Sequence, residues 1–166
     1  LGLVLVFLVL LLVYRNFFKA LIPILPVIII VGISSGIMYL LGIDYTPITS
    51  TLGALILGMG TEMTVILMER YIEERESGKN KMDAIIYSVS MIGKAIVASG
   101  LTTVGGFSVL MLSDFVILKD FGLMTVINIS LALLSTFIIL PPILTLLDRF
   151  ILSKKAKSSD EKLEVS

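Results

Sequence analysis

Apolar runs of membrane-spanning length constrain this chain more than any other feature. A helix that crosses about 30 Å of hydrocarbon needs roughly 20 apolar residues. Residues 21–41, 48–68, 95–112 and 121–147 meet or approach that length, and "LGLVLVFLVLLLV" (Leu1 to Val13) is a shorter run of the same kind. The runs dominate a chain of 166 residues that is 57% hydrophobic with a mean hydropathy of +1.05. In lipid the backbone has to satisfy its own hydrogen bonds, which leaves helices as the spanning form for runs of this length. The expected fold is therefore an all-α integral membrane protein with five transmembrane helices, the first one truncated.

At about 1.5 Å per residue, Leu1 to Val13 supplies only about 20 Å of helix, so it reads as the second half of a span that starts earlier. A signal peptide would need a basic stretch before the run and a small-residue cleavage site after it, and neither is present. Pro23 and Pro26 fall in the first turns of the second span, where a missing N–H costs little. Pro141-Pro142 is expected to bend or end the fifth. Residues 148–166, ending in "SKKAKSSDEKLEVS", read as a charged, disordered tail.

Between Met82 and Lys94, Ile85, Ile86, Val89 and Ile92 share one helical stripe, and Asp83, Tyr87, Ser90 and Lys94 share another. This is either a short interfacial helix or an early start of the fourth span with Lys94 snorkelling. The charged run Glu69, Arg70, Glu73, Glu74, Arg75 and Glu76 reads as a solvated helical extension of the third span, stopped at Gly78.

Lysine and arginine set the expected orientation. Arg15, Lys19, Arg70, Arg75, Lys79, Lys81, Lys94, Arg149, Lys154, Lys155, Lys157 and Lys162 follow odd-numbered spans, and only Lys119 lies on the opposite side. By the positive-inside rule this puts the C-terminus in the cytoplasm of a multi-pass protein of the plasma or inner membrane. Thirteen basic residues balance thirteen acidic ones, so charge offers no footing for nucleic acid. With no Cys and no His, the usual zinc, haem and iron–sulfur ligands are missing, and no cofactor is expected.

One residue breaks the apolar pattern. Glu62 is the only carboxylate in any of the five runs, about 6 Å from the centre of its own at about 1.5 Å per residue. A charged carboxylate at the bilayer centre costs on the order of 2.5–3.5 kcal/mol even on the mildest scale, so it should face protein or water. Desolvation disfavours the charged form, which suits such a group to taking up and releasing protons. Thr61 precedes it, and Gly58 lies one turn away on its own face. Ser99, Thr102, Thr103 and Gly106 form a small, hydroxylated face on the fourth span, and Ser135 on the fifth is nearest to Glu62 in depth. The hydroxyl residues are candidates for proton coupling, whereas Gly58 and Gly106 are candidates for close helix packing.

The stretches "GALILGMGTEMTVILMERYIEE", "GKAIVASGLTTVGGFSVLML" and "LKDFGLMTVINISLALLSTFIILPPIL" resemble the second membrane half of the resistance-nodulation-division (RND) superfamily. The nearest subgroup is the MMPL-type hydrophobe exporters, related to sterol-sensing domains. The resemblance runs to about Leu147 and implies an exporter driven by the proton-motive force, built from two halves of six helices with large extracytoplasmic domains. The chain would match helices 8–12. Its partners would be the bilayer, a hydrophobic or amphiphilic substrate, the N-terminal half of the same transporter and, in a homo-oligomer, further copies. The family's proton site joins acidic residues of the fourth helix to a polar or charged group of the tenth, a position that Thr61-Glu62 would hold. Many relatives carry an Asp-aromatic pair there and this chain carries Glu62-Met63, so Glu62 is either the proton carrier or the support of one in the other half.

Other functions fit the same helices. A lipid- or sterol-sensing module would keep the fold without transport, and a membrane subunit of the Sec protein-export machinery shares the fold with different motifs. An intramembrane aspartyl protease needs two carboxylates close enough to share a proton. Glu62 alone cannot supply that pair, and no enzymatic activity is expected.

Overall fold

A computed structural model describes residues 2–44 and 46–151. Helix α1 (Gly2–Tyr14) is followed by α2 (Phe17–Leu21), α3 (Ile24–Leu41), α4 (Pro47–Ser50), α5 (Leu52–Glu76), α6 (Lys81–Ser108), a 3₁₀ turn (Val109–Leu112), α7 (Val116–Ile138) and α8 (Leu140–Ile151). Among the described residues the architecture is helical throughout, as the apolar runs require. Four stretches are long and apolar enough to cross a membrane: 17–41, Leu52–Glu76, 81–112 and Val116–Ile138, with Gly2–Tyr14 shorter.

Local chemistry sets the breaks. Asn16 caps α2 by accepting the Phe18 N–H at 3.0 Å, after Arg15 turns the chain at φ 49°. Pro23 divides α2 from α3. Helix α3 ends at Gly42, whose φ of 65° is the left-handed conformation glycine accepts without strain. At the start of α6, Asn80 accepts the Asp83 N–H at 2.8 Å and donates to the Asp83 carboxylate at 2.8 Å. From this cap α6 runs unbroken to Ser108, so 82–94 is the first part of the long helix and not a separate interfacial one.

Helix α7 is the centre of the bundle and packs against α3, α5 and α6, while α5 also packs on α3 and α6. The core is a continuous apolar cluster that includes Val27 and Ile30 of α3, Leu67 and Met68 of α5, Ile96 of α6, Ala132 of α7 and Leu140 and Leu144 of α8. Small residues set the helix spacing: a Cβ on Gly100 of α6 would lie 2.7 Å from a Leu133 methyl of α7. Helix α6 is peripheral. Only 11% of its most apolar window is buried, against 44% for the other three long stretches, so most of its surface is left for lipid or further protein.

The fifth apolar run is not one helix. Helix α7 ends at Ile138, and α8 begins afresh at Leu140 with Pro141-Pro142 in its first turn, where two absent N–H groups leave no helical bond unmade. Leu140, Leu144, Asp148 and Ile151 share the buried face of α8, whereas Leu146, Arg149 and Phe150 are exposed. Residues 148–151, assigned by the sequence pattern to a disordered tail, therefore complete a packed helix. The rest of that tail lies outside the described residues.

Candidate functional site

Glu62 lies on α5 and lines a cavity of about 260 Å³ between α5 and α6. Helical spacing builds its walls. Met59, Glu62, Met63 and Ile66 of α5 stand at i, i+3, i+4 and i+7, and Ile92, Ala95, Ile96, Ser99 and Thr103 of α6 repeat every three to four residues. The cavity is a thioether- and alkyl-lined space with one carboxylate and two hydroxyls. Among the described residues the Glu62 carboxylate has no hydrogen-bond or ion-pair partner, and its side chain is exposed at the cavity mouth. The Thr103 hydroxyl donates to the Ser99 carbonyl at 2.9 Å, which leaves its lone pairs free to accept.

Three of the expected hydroxyls lie elsewhere. Thr102 is exposed, does not line the cavity, and donates to the Ala98 carbonyl. Thr61, one residue from Glu62, is about 100° round the helix and buried, as is Ser135 on α7. Among the described residues the hydroxyls of Thr61 and Ser135 have no hydrogen-bond partner, and neither polar atom of the buried Asn128 side chain has one. Helix α5 thus carries two polar positions with different surroundings: Glu62 on an open cavity shared with Ser99 and Thr103, and Thr61 inside the bundle.

The packing glycines also differ from those expected. Gly58 and Gly106 are exposed, and a Cβ on either would meet nothing within 4 Å. Close approach falls instead to Gly60 against Val27, Gly93 against Phe137, Gly100 against Leu133 and Gly122 against Leu110. The reason is rotational. The face of α5 that carries Gly58 and Glu62 turns to the open side beside α6, and Gly60 and Thr64 turn towards α3, where the Thr64 hydroxyl lies 3.2 Å from the Pro23 carbonyl.

A second cluster was missed by sequence reasoning. At the charged end of the bundle, Arg75 and Asp148 are buried to 2% and 1% exposure and form a two-pronged ion pair. One Asp148 oxygen accepts from Arg75 Nε at 2.9 Å and from the Tyr71 hydroxyl at 2.6 Å, and the other accepts from Arg75 Nη2 at 2.9 Å. Lys81 Nζ of α6 lies 3.8 Å from the same carboxylate. Glu74 is buried as well and pairs with Arg70 and Lys79, whose ammonium stands 3.3 Å over the Tyr87 ring. The run read as solvated is partly interior because Asp148 of α8 packs on Arg75 and because Glu74 pairs with Arg70 and Lys79. The available signal was Asp148 itself, a carboxylate in register with Leu140, Leu144 and Ile151.

Comparison with known proteins adds the family. Residues 1–163 match the family model described as the MMPL family. The chain is 33% identical over 151 residues to the membrane protein MJ1562 of Methanocaldococcus jannaschii, covering 91% of the chain and 39% of that protein. It is 32% identical over 80 residues to the trehalose monomycolate exporter MmpL3 of Mycobacterium tuberculosis, covering 47% of the chain and 8% of the exporter. It is 27% identical over 116 residues to the mycolic acid-containing lipids exporter MmpL11 of Mycolicibacterium smegmatis, covering 68% of the chain and 12% of that protein. The chain thus spans about two fifths or less of the length of these relatives. No solved structure matches it significantly. With a family match over almost its whole length, joined to a helical bundle of apolar, span-length helices, the chain is a multi-pass membrane protein and belongs to the MMPL family.

Proposed function

We propose that the chain is the second membrane half of an exporter of hydrophobic or amphiphilic, lipid-like molecules, driven by proton flow, with Glu62 as its proton-handling group. The observation that carries this reading is the Glu62 carboxylate on an apolar cavity with no counter-charge beside it among the described residues. A carboxylate in an apolar segment has to face protein or water, and its charged and neutral forms favour different surroundings. Ser99 and Thr103 are the neighbours able to hydrogen-bond either form. The substrate class follows from relatives named as exporters of trehalose monomycolate and of mycolic acid-containing lipids.

In this reading α1, the α2–α3 stretch, α5, α6 and α7 are the five membrane crossings. The basic end of the bundle faces the cytoplasm, and the open side of the Glu62 cavity faces the N-terminal half of the transporter. Thr61 and Ser135, buried and unpartnered, are a second polar track beside α7. One elementary charge crossing the whole membrane at 100 mV gains about 2.3 kcal/mol, so that is what each proton passing fully across by way of Glu62 contributes.

The test is Glu62→Gln in the full-length protein, reconstituted in liposomes under an imposed proton gradient. Gradient-dependent lipid export should fall at least about tenfold, as when a group needed in each turnover is lost. Export at the wild-type rate would leave Glu62 as a packing residue, and gradient-independent lipid binding without export would favour a sensing module.

A further inference from the structure

The ion pair between Arg75 and Asp148 lies far from the Glu62 cavity, and nothing in the export reading uses it. Its construction is nonetheless specific. Tyr71 and Arg75 stand at i and i+4 on one face of α5, and both meet the same Asp148 carboxylate of α8. Two of these three contacts reach one oxygen, so a rotation of α5 by a fraction of a turn breaks them together. The fork between guanidinium and carboxylate adds a directional constraint that a single lysine contact would not. Lys81 brings the first turn of α6 to the same carboxylate. Helices α5 and α6 are the two walls of the Glu62 cavity.

Helix α5 is continuous from Leu52 to Glu76. From Glu62 to Tyr71 is about 14 Å along it at about 1.5 Å per residue, a span over which an unbroken helix turns and slides as one body. The clamp therefore fixes the rotation of the segment that carries Glu62, as well as its own end. Around Asp148 the charged and titratable groups are Tyr71 and Arg75 of α5 and Lys81 of α6, with the Glu74–Lys79 pair beside Arg75.

We propose that Asp148 is a positioning residue: through Tyr71, Arg75 and Lys81 it sets the rotation of α5 against α6 and so the shape of the Glu62 cavity. α8 is then a strut that holds the proton site from the charged end of the bundle. The part of this that concerns export rests on Glu62 handling protons; the part that concerns the cavity does not.

The experiment uses the full-length transporter in liposomes, with Asp148→Asn, with Tyr71→Phe, and with the exchange Arg75→Asp/Asp148→Arg. Two readouts separate positioning from mere stability. The first is the pH at which export is half-maximal, expected to move in Asp148→Asn and less in Tyr71→Phe, because the clamp sets which groups surround the Glu62 carboxylate. A fold defect lowers yield or maximal rate and leaves that pH in place. The second is the rate at which a charged thiol reagent modifies the Met59→Cys variant, on the cavity wall in a segment without cysteines of its own. Asp148→Asn should change that rate about tenfold, as expected for loss of a buried partner, and the exchange should return it towards wild type. If Asp148→Asn does not accumulate, Tyr71→Phe, which keeps the ion pair, carries the test. An unmoved pH profile and an unmoved modification rate in the variants that fold overturn the proposal. Wild-type export by Glu62→Gln overturns the export reading alone, and the thiol rate then judges the clamp.

Discussion

Replacing Asp148 by leucine separates the worth of the clamp from the worth of the apolar contacts around it. The aspartate is 1% exposed and Arg75 is 2% exposed, so Asp148→Leu leaves a guanidinium buried beside an alkyl chain with the Lys79 carbonyl as a remaining partner. Breaking a buried pair by removing one member costs about 3–5 kcal/mol. Arg75→Met leaves Asp148 with the Tyr71 hydroxyl at 2.6 Å and Lys81 at 3.8 Å, and should fall at the lower end of that range. Removing both charges, with Tyr71→Phe to avoid an orphaned hydroxyl, gives an apolar contact of similar volume that is often neutral or stabilising. The assay is amide hydrogen exchange of residues 140–151 in the full-length protein in lipid nanodiscs. At 1.4 kcal/mol per tenfold, about 3 kcal/mol is a rise on the order of a hundredfold in the local opening of α8. The triple variant should exchange within about tenfold of wild type. Single variants that each raise exchange less than about tenfold, or a triple variant that opens as readily as Asp148→Leu, would refute the assignment of α8's hold on α5 to this pair.

Three further outcomes follow from packing. Gly100→Ala places a methyl 2.7–2.9 Å from the end of Leu133 and should cost about 1–3 kcal/mol of overpacking, read as a lower melting temperature of the full-length protein in detergent. Gly106→Ala meets nothing within 4 Å, so in the same assay it should be neutral or raise stability by up to about 1 kcal/mol through helix propensity. Asn128→Leu removes two unpartnered buried polar atoms and should be neutral or stabilising by thermal denaturation; a loss above about 2 kcal/mol would show that the amide has a bound partner, such as an internal water.

The helices were legible because their cause is local. A run such as 95–112 has one stable form in hydrocarbon, and Pro23, Gly42 and Asn80 mark breaks by backbone chemistry that acts within a few residues. The fold of 138–151 was less legible, because two prolines are compatible with a bend inside one helix and with the start of another. What decides between them is tertiary: Ile139 keeps right-handed helical dihedrals (φ −89°, ψ −41°), and Leu140, Leu144 and Ile151 join the core beyond this break. The same packing brings Asp148 to Arg75, residues 73 positions apart whose pairing no local pattern could specify.

For the candidate site, depth was readable and rotation was not. The distance of Glu62 from the ends of its apolar run follows from counting residues, and so does its level relative to Ser99, Thr103 and Ser135. Which of these it faces depends on how α5 is turned about its axis, and that is fixed by contacts outside the polar stripe: Gly60 against Val27, Thr64 against the Pro23 carbonyl, and the Tyr71–Asp148–Arg75 clamp. Once these face inward, the 3.6-residue repeat obliges Glu62, with Met59, Met63 and Ile66, to look towards α6. Thr61 is carried by the same rotation into the bundle, so two adjacent residues of one motif meet different surroundings. Glu62 thus stands on the less buried side of the described bundle, beside α6, and its placement there follows from contacts made elsewhere on α5.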